Sequence, residues 1–156
     1  MADQRSAQDV IAALNLTPHP EKGYYIETFR DTEVTADHKS HSTCIYYLLE
    51  GESESSHWHR VLDATEVWHH YAGAPLKLSL SWDDGSPVRH MILGKDLWNQ
   101  QRPQVVVQKK EWQQAQSLGS WTLVGCTVAP AFTMENFEMA KEGWEPKVVG
   151  DAAEKI

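Results

Sequence analysis

The chain has 156 residues, 41% of them hydrophobic and 23% charged, with a formal net charge of −8. That length suits one domain with a real hydrophobic core, and the acidic balance excludes the basic stripe that a nucleic-acid-binding face needs. No run approaches eighteen apolar residues, which excludes a membrane-spanning helix.

The opening, MADQRSAQDVIAALNLTP, lacks the long apolar core and small-residue cleavage site of a secretory signal. Two cysteines, Cys44 and Cys126, make no disulfide framework, so buried free thiols in a cytoplasmic protein are expected. Residues 6–15 predict a short helix. Ser6 can cap it, Asp9 sits in its first turn, and Val10, Ile11 and Leu14 share a face. TPHPEKG then breaks the chain, with Pro20 and Gly23 shaping the entry into the next element.

From there nearly everything reads as strand: GYYIETFR, STCIYYLLEG, SHWHRV, EVWHHYAG, PLKLSLSW, PVRHMILG, QVVVQ, WTLVGCTVAP and MENFEMA. These runs are short, rich in β-branched and aromatic residues, and bounded by Gly, Pro and Asp. Many short strands at close spacing predict an antiparallel sandwich or barrel over about residues 22–140. A polar tail follows, which Trp144 could pin. The whole of residues 1–156 reads as a single domain.

The stretch HWHRVLDATEVWHHYAG, residues 57–73, holds four of the eight histidines. In a strand, His57 and His59 share one face, opposite Trp58 and Arg60. Glu66, Trp68 and His70 share a face of the following strand. Two imidazoles and a carboxylate suit a first-row divalent ion, or a metal-free acid–base site. A strand histidine facing a polar partner is also common as plain structure. Trp68 could form an apolar wall for a ring, while tryptophans in general fill barrel cores. One of Tyr46 and Tyr47 must point inward, and Tyr46 is a candidate ligand contact. Arg60 could hold a carboxylate or phosphate at a barrel mouth, or form a surface ion pair.

The frame Gly51, His57, His59, Glu66, Gly73 resembles the first motif of the cupin superfamily, G-x5-H-x-H-x(3,4)-E-x6-G, with a longer gap before the acid. Asp63 would fit the short gap, but Glu66 keeps the distance to Gly73. The segments LNLTPHPEKGYYIETFRDT, STCIYYLLEG, HRVLDATEVWHHYAGAPL and VGCTVAPAFTMENFEMA resemble the DUF985 (cupin-5) cupins over most of residues 14–140. The resemblance implies an all-β fold, a small double-stranded β-helix or jelly-roll barrel with a short N-terminal helix, usually dimeric. The strand GYYIETF is then the segment expected to pair with a second chain.

The second cupin motif departs from its pattern. QKKEWQ puts Gln108, Lys110 and Gln113 where a proline, a glycine and the third histidine stand. A neutral amide is a poor ligand beside imidazole, so divalent metal should be weakly held or absent. The expected function is a small-molecule-binding cupin, an acid–base isomerase or epimerase on a sugar-like or small polar metabolite. His57 or His59 would transfer the proton, Glu66 would orient it, and Trp68, His70, Gln113, Tyr46 and Arg60 would contact the ligand. The alternatives are a non-catalytic sensing or storage module, and a weakly metal-dependent cupin enzyme.

Overall fold

The structure, a computed structural model, describes residues 5–51 and 55–149. Three residues of the spacer between Gly51 and His57, and the last seven of the predicted tail, lie outside the described residues.

Helix α1 (Ala7–Leu14) begins at a capping box, with Ser6 Oγ accepting from the Asp9 amide and Asp9 Oδ2 accepting from the Ser6 amide. Its apolar side lies on the outside of the larger sheet, against Leu48, Trp121, Tyr24, Ile26 and Tyr46. Tyr46 is thus an outward residue that packs in the cluster beneath the helix. Alternation along its strand sends Tyr47, 1% exposed, into the barrel instead, so the candidate ligand contact moves by one position. Among the described residues no helix is long and apolar enough to cross a membrane.

Eleven strands follow among the described residues: β1 (Thr17–Pro18), β2 (Tyr24–Arg30), β3 (Thr43–Glu50), β4 (His59–Val61), β5 (Thr65–Gly73), β6 (Leu76–Ser81), β7 (Arg89–Leu93), β8 (Gln104–Val107), β9 (Trp112–Ser117), β10 (Trp121–Ala129) and β11 (Phe137–Met139). They form two antiparallel sheets, ordered β1-β2-β3-β10-β5-β8 and β11-β4-β9-β6-β7. The molecule is mostly β with one short helix, as the strand-rich sequence implies. Leu76, Leu78, Leu80, Leu93, Val105 and Val124 fill one end of the space between the sheets. The other end is left partly open.

Several elements differ from the sequence reading, and two of them bear on the site. Strand β9 was not among the expected strands, because WQQAQS is polar. Its alternation is nonetheless real: Gln113, Ala115 and Ser117 are buried while Gln114 and Gln116 are half-buried. The inward side is merely small or polar, so hydrophobicity does not mark it. Strand β4 also starts three residues later than SHWHRV implies, at His59.

The described part of the polar tail is held. Trp144 packs on Trp112 with ring centroids 4.5 Å apart and on Trp58 at 6.2 Å. The Val149 amide donates to Gly85 O at 2.9 Å.

The turn at residues 19–23 matters for the site. Gly23 has φ +78°, and a Cβ there would stand 2.6 Å from Leu48 O and 2.6 Å from the Tyr47 ring. The Tyr47 hydroxyl donates to Lys22 O at 2.6 Å, clamping the turn to the barrel wall. Gly23→Ala is therefore expected to cost at least roughly 1–2 kcal/mol and lower the melting temperature by about 3–8 °C. A thermal scan of the variant checks this; an unchanged midpoint would mean the turn relaxes freely.

Candidate functional site

The open end of the barrel is a cavity of about 440 Å³. Its inner part is lined by Glu21, Tyr47, His59, Glu66 and Cys126, with Ile45, Val61 and Val128 along the walls. Toward solvent stand Tyr25, Glu27, Arg30, Phe132, Met134 and Phe137. Glu21, His59 and Glu66 are all buried, whereas the Arg30 and Glu27 side chains are about two-fifths exposed. The buried acid–base groups thus lie deep, while the mouth carries three aromatic rings beside the Glu27–Arg30 pair.

His59 enters from β4 and Glu66 from β5, on opposite sheets. His59 Nδ1 lies 2.7 Å from Glu21 Oε2 and 3.0 Å from His57 O. Glu21 comes from the turn before β2, whose carbonyl accepts from the His57 amide at 3.2 Å. His19, in the same turn, accepts the Glu21 amide on its Nδ1 at 3.1 Å. On the far side, Gln113 Nε2 donates to Glu66 Oε1 at 2.7 Å, and Trp68 Nε1 donates to Gln113 Oε1 at 2.8 Å. This chain fixes the Gln113 amide orientation, since its oxygen must face the indole N–H.

Burial opposes charge on His59 more than any single contact favours it, but the Glu21 carboxylate, Glu66 and the His57 carbonyl together outweigh it, so the imidazole is raised to about 9. Burial likewise pushes Glu21 up, and the His59 imidazolium pulls it down to a net lowering. Glu66 goes the other way: burial raises it, His59 opposes, and the Glu21 charge raises it further. Burial also lifts the Cys126 thiol and the Tyr47 phenol well above their ordinary values. Burial keeps His19 below its usual value. At neutral pH the inner cavity therefore holds the His59 imidazolium with the Glu21 carboxylate paired to it, and facing them Glu66, whose affinity for a proton is raised by burial and by the Glu21 charge.

The sequence-derived candidates divide. His59 and Glu66 both line the cavity. His57 does not; it is half-buried, precedes the strand, and lends its backbone rather than its ring. Parity failed there because β4 starts at His59, so strand alternation does not reach back to residue 57. Trp68 and His70 share the inward face with Glu66 but sit farther along, outside the cavity lining. Trp68 is 1% exposed and serves as a hydrogen-bond donor, not a wall. His70 Nε2 is 3.0 Å from Ala74 O, which makes it a local structural group. Gln113 supports Glu66 from below. Arg60 faces away, bonded to Glu138 at 2.8 Å and lying 4.6 Å over the Trp112 ring. Asp63 pairs with Lys39 and accepts from Asn136, so Glu66 is the acid that reaches the cavity.

Glu21 and His19 were missed because HPEKG reads as a turn. The signal was the acid itself, placed between proline and glycine just before the first long strand, where a purely structural turn needs none.

The cupin metal pattern does not fit this site. His59 Nδ1 is held by Glu21, His57 lies outside the cavity, and the third-histidine position is an amide already bonded on both ends. Among the described residues no group of three or more His, Cys, Asp or Glu side chains is arranged to hold an ion.

The family model described as Cupin superfamily (DUF985) matches residues 8–140. No curated protein matches the chain. A crystal structure of a Shewanella oneidensis protein is 32% identical, with 88% of this chain and 86% of that one covered at a TM-score of 0.82. A hypothetical protein from Leishmania major is 27% identical, with 86% of each chain covered and a TM-score of 0.77. The capsular polysaccharide assembling protein CapF of Staphylococcus aureus shares the fold alone, at 10% identity over 80% of this chain and 33% of that one, with a TM-score of 0.61. Two packed antiparallel sheets, a cavity at one end of the barrel and a match spanning residues 8–140 place the chain in the DUF985 family of the cupin superfamily.

Proposed function

We propose that the cavity binds a small, sugar-like hydroxy-carbonyl compound and moves a proton on it, as an isomerase or epimerase does. The observation that carries this reading is the buried Glu21–His59 pair facing Glu66 across one cavity. Glu66, a carboxylate raised by burial, takes a proton from the carbon beside the carbonyl. The electron pair moves onto the carbonyl oxygen, and the His59 imidazolium donates to that oxygen. In epimerisation the enediol turns over, the proton held by Glu66 returns to the same carbon from the other face, and His59 takes back its proton from the oxygen. In isomerisation the Glu66 proton goes to the former carbonyl carbon, and His59 is reprotonated by the neighbouring hydroxyl as that becomes the new carbonyl. His59 is thus the acid, not the base, because Glu21 keeps it protonated at neutral pH. Gln113 and Trp68 hold Glu66 in place.

Fold likeness at 10% identity carries no chemistry across, so the reading rests on these residues. It includes assembly as a homodimer. The row Phe29, Cys44, Thr127, Val67 and Val106 runs across the outer face of the larger sheet, with Phe29 and Val106 exposed.

The test is proton exchange. Wild-type protein in D2O with a panel of aldoses, ketoses and hydroxy-acids should wash deuterium into the carbon next to a carbonyl, read by NMR. Glu66→Gln should slow exchange by roughly 10²-fold or more while keeping or raising the melting temperature, since it removes a buried, disfavoured charge. Binding without exchange would leave a non-catalytic module; no binding at all would sink the reading.

A further inference from the structure

The charges lining the cavity are balanced in pairs. His59 faces Glu21 at 2.7 Å. Arg30, the one Lys or Arg lining the cavity among the described residues, is gripped on both Glu27 oxygens: Nη2 donates to Oε1 at 2.6 Å and Nε to Oε2 at 3.3 Å. Its Nη2 also donates to Phe132 O at 3.2 Å. Glu66 is a further acid with no cation of its own. The lining thus offers no surplus positive charge. A phosphate or carboxylate on a ligand would meet Glu27 at the mouth and Glu66 inside, and would have to shed its water against them.

The mouth is also aromatic. Tyr25 meets His19 edge-on with centroids 4.6 Å apart. Phe137 lies 5.5 Å from Phe132 and 5.4 Å from His59. One ring therefore joins the outer collar to the inner acid. An apolar collar above a polar floor suits a ligand built the same way, with a ring at one end and oxygens at the other.

We infer that the ligand of this cavity is uncharged and ring-bearing, its ring seated in the collar of Tyr25, Phe132 and Phe137 and its oxygens reaching His59 and Glu66. The inference rests on the functional reading above and narrows it: phosphorylated sugars and sugar nucleotides are excluded as a class.

Isothermal calorimetry at low ionic strength can test it with three probes: phenyl β-glucoside, its 6-phosphate, and glucose. The phenyl glucoside should bind roughly tenfold or more tightly than its phosphate, a gap that narrows with added salt. Glu27→Gln frees Arg30 from its partner and should strengthen phosphate-probe binding, closing the gap at least about threefold. Phe137→Leu should weaken phenyl glucoside by a larger factor than it weakens glucose; an equal loss for both would mean that the ring acts only through His59. Equal or tighter binding of the phosphate to wild type overturns the charge inference while the proton-transfer reading stands. Glucose binding as tightly as phenyl glucoside overturns the collar. Failure of all three probes to bind overturns the inference, while the deuterium-exchange panel decides the reading beneath it separately.

Discussion

Replacing Glu21 with glutamine should bring the His59 titration down from about 9 to below its ordinary value of 6.5. Burial alone disfavours the imidazolium, and the Glu21 carboxylate is the largest group opposing that penalty. With a neutral amide in its place, burial prevails. Imidazole carbon and proton shifts followed by NMR across pH 5–10 read the change directly. A His59 that still titrates near 9 in Glu21→Gln would show that Glu66 or another partner holds the proton, and the acid assignment would fall.

Stability follows with a definite sign. The wild-type imidazole has a folded value above its unfolded one, so its contribution is fully present below about 6.5 and is lost as pH rises through about 9. Glu21 has a folded value below its unfolded 4.5, so its share is present above 4.5 and is lost as pH falls through the lowered value. The wild type should therefore be most stable between these limits, with a loss on the order of 3 kcal/mol on the alkaline side. In Glu21→Gln the slope between 6.5 and 9 should vanish, because His59 is then neutral in both states. Any exchange activity should show the same displacement, its alkaline limb moving from near 9 to below 6.5.

How far the sequence was legible depended on whether a residue's role was periodic or a matter of contact. Glycine frames and alternation on β5 put Glu66, Trp68 and His70 on one inward face, which is where they lie. They could not tell how far along the barrel each one sits, so Trp68 and His70, on the core side of Glu66, read like Glu66 itself. Asp63 and Glu66 were separated by spacing to Gly73, and the Lys39 and Asn136 contacts of Asp63 show why that spacing was the better guide. Glu21 was hidden for a different reason. It sits in a turn, contributes no period, and gains its meaning from a residue thirty-eight positions later, His59. Strand β9 was hidden because its inward residues are polar, and they are polar because Gln113 carries Glu66 and Ser117 meets Thr122 at 2.7 Å. The segments that defied hydrophobic patterning are those on which the site depends.

Gln113→Leu should be among the most destabilising single changes in the protein. It strips the Glu66 carboxylate of its 2.7 Å donor and the Trp68 indole of its 2.8 Å acceptor, all within groups 8% exposed or less. Leaving one buried donor unsatisfied costs about 1–3 kcal/mol, and a buried carboxylate costs more, so the sum should be on the order of 3–5 kcal/mol. For a chain of this length that lowers the melting temperature by roughly 10 °C. The two orphaned groups can be told apart by a double-mutant cycle. Glu66→Leu in the Gln113→Leu background removes the carboxylate and leaves the unpaired indole, so the double variant should be about 1–2 kcal/mol more stable than the sum of the singles predicts. Strict additivity would mean Gln113 supports Trp68 alone. In that case Glu66 would hold its position without the amide, and the substitution at the third-histidine position would have no part in setting the base.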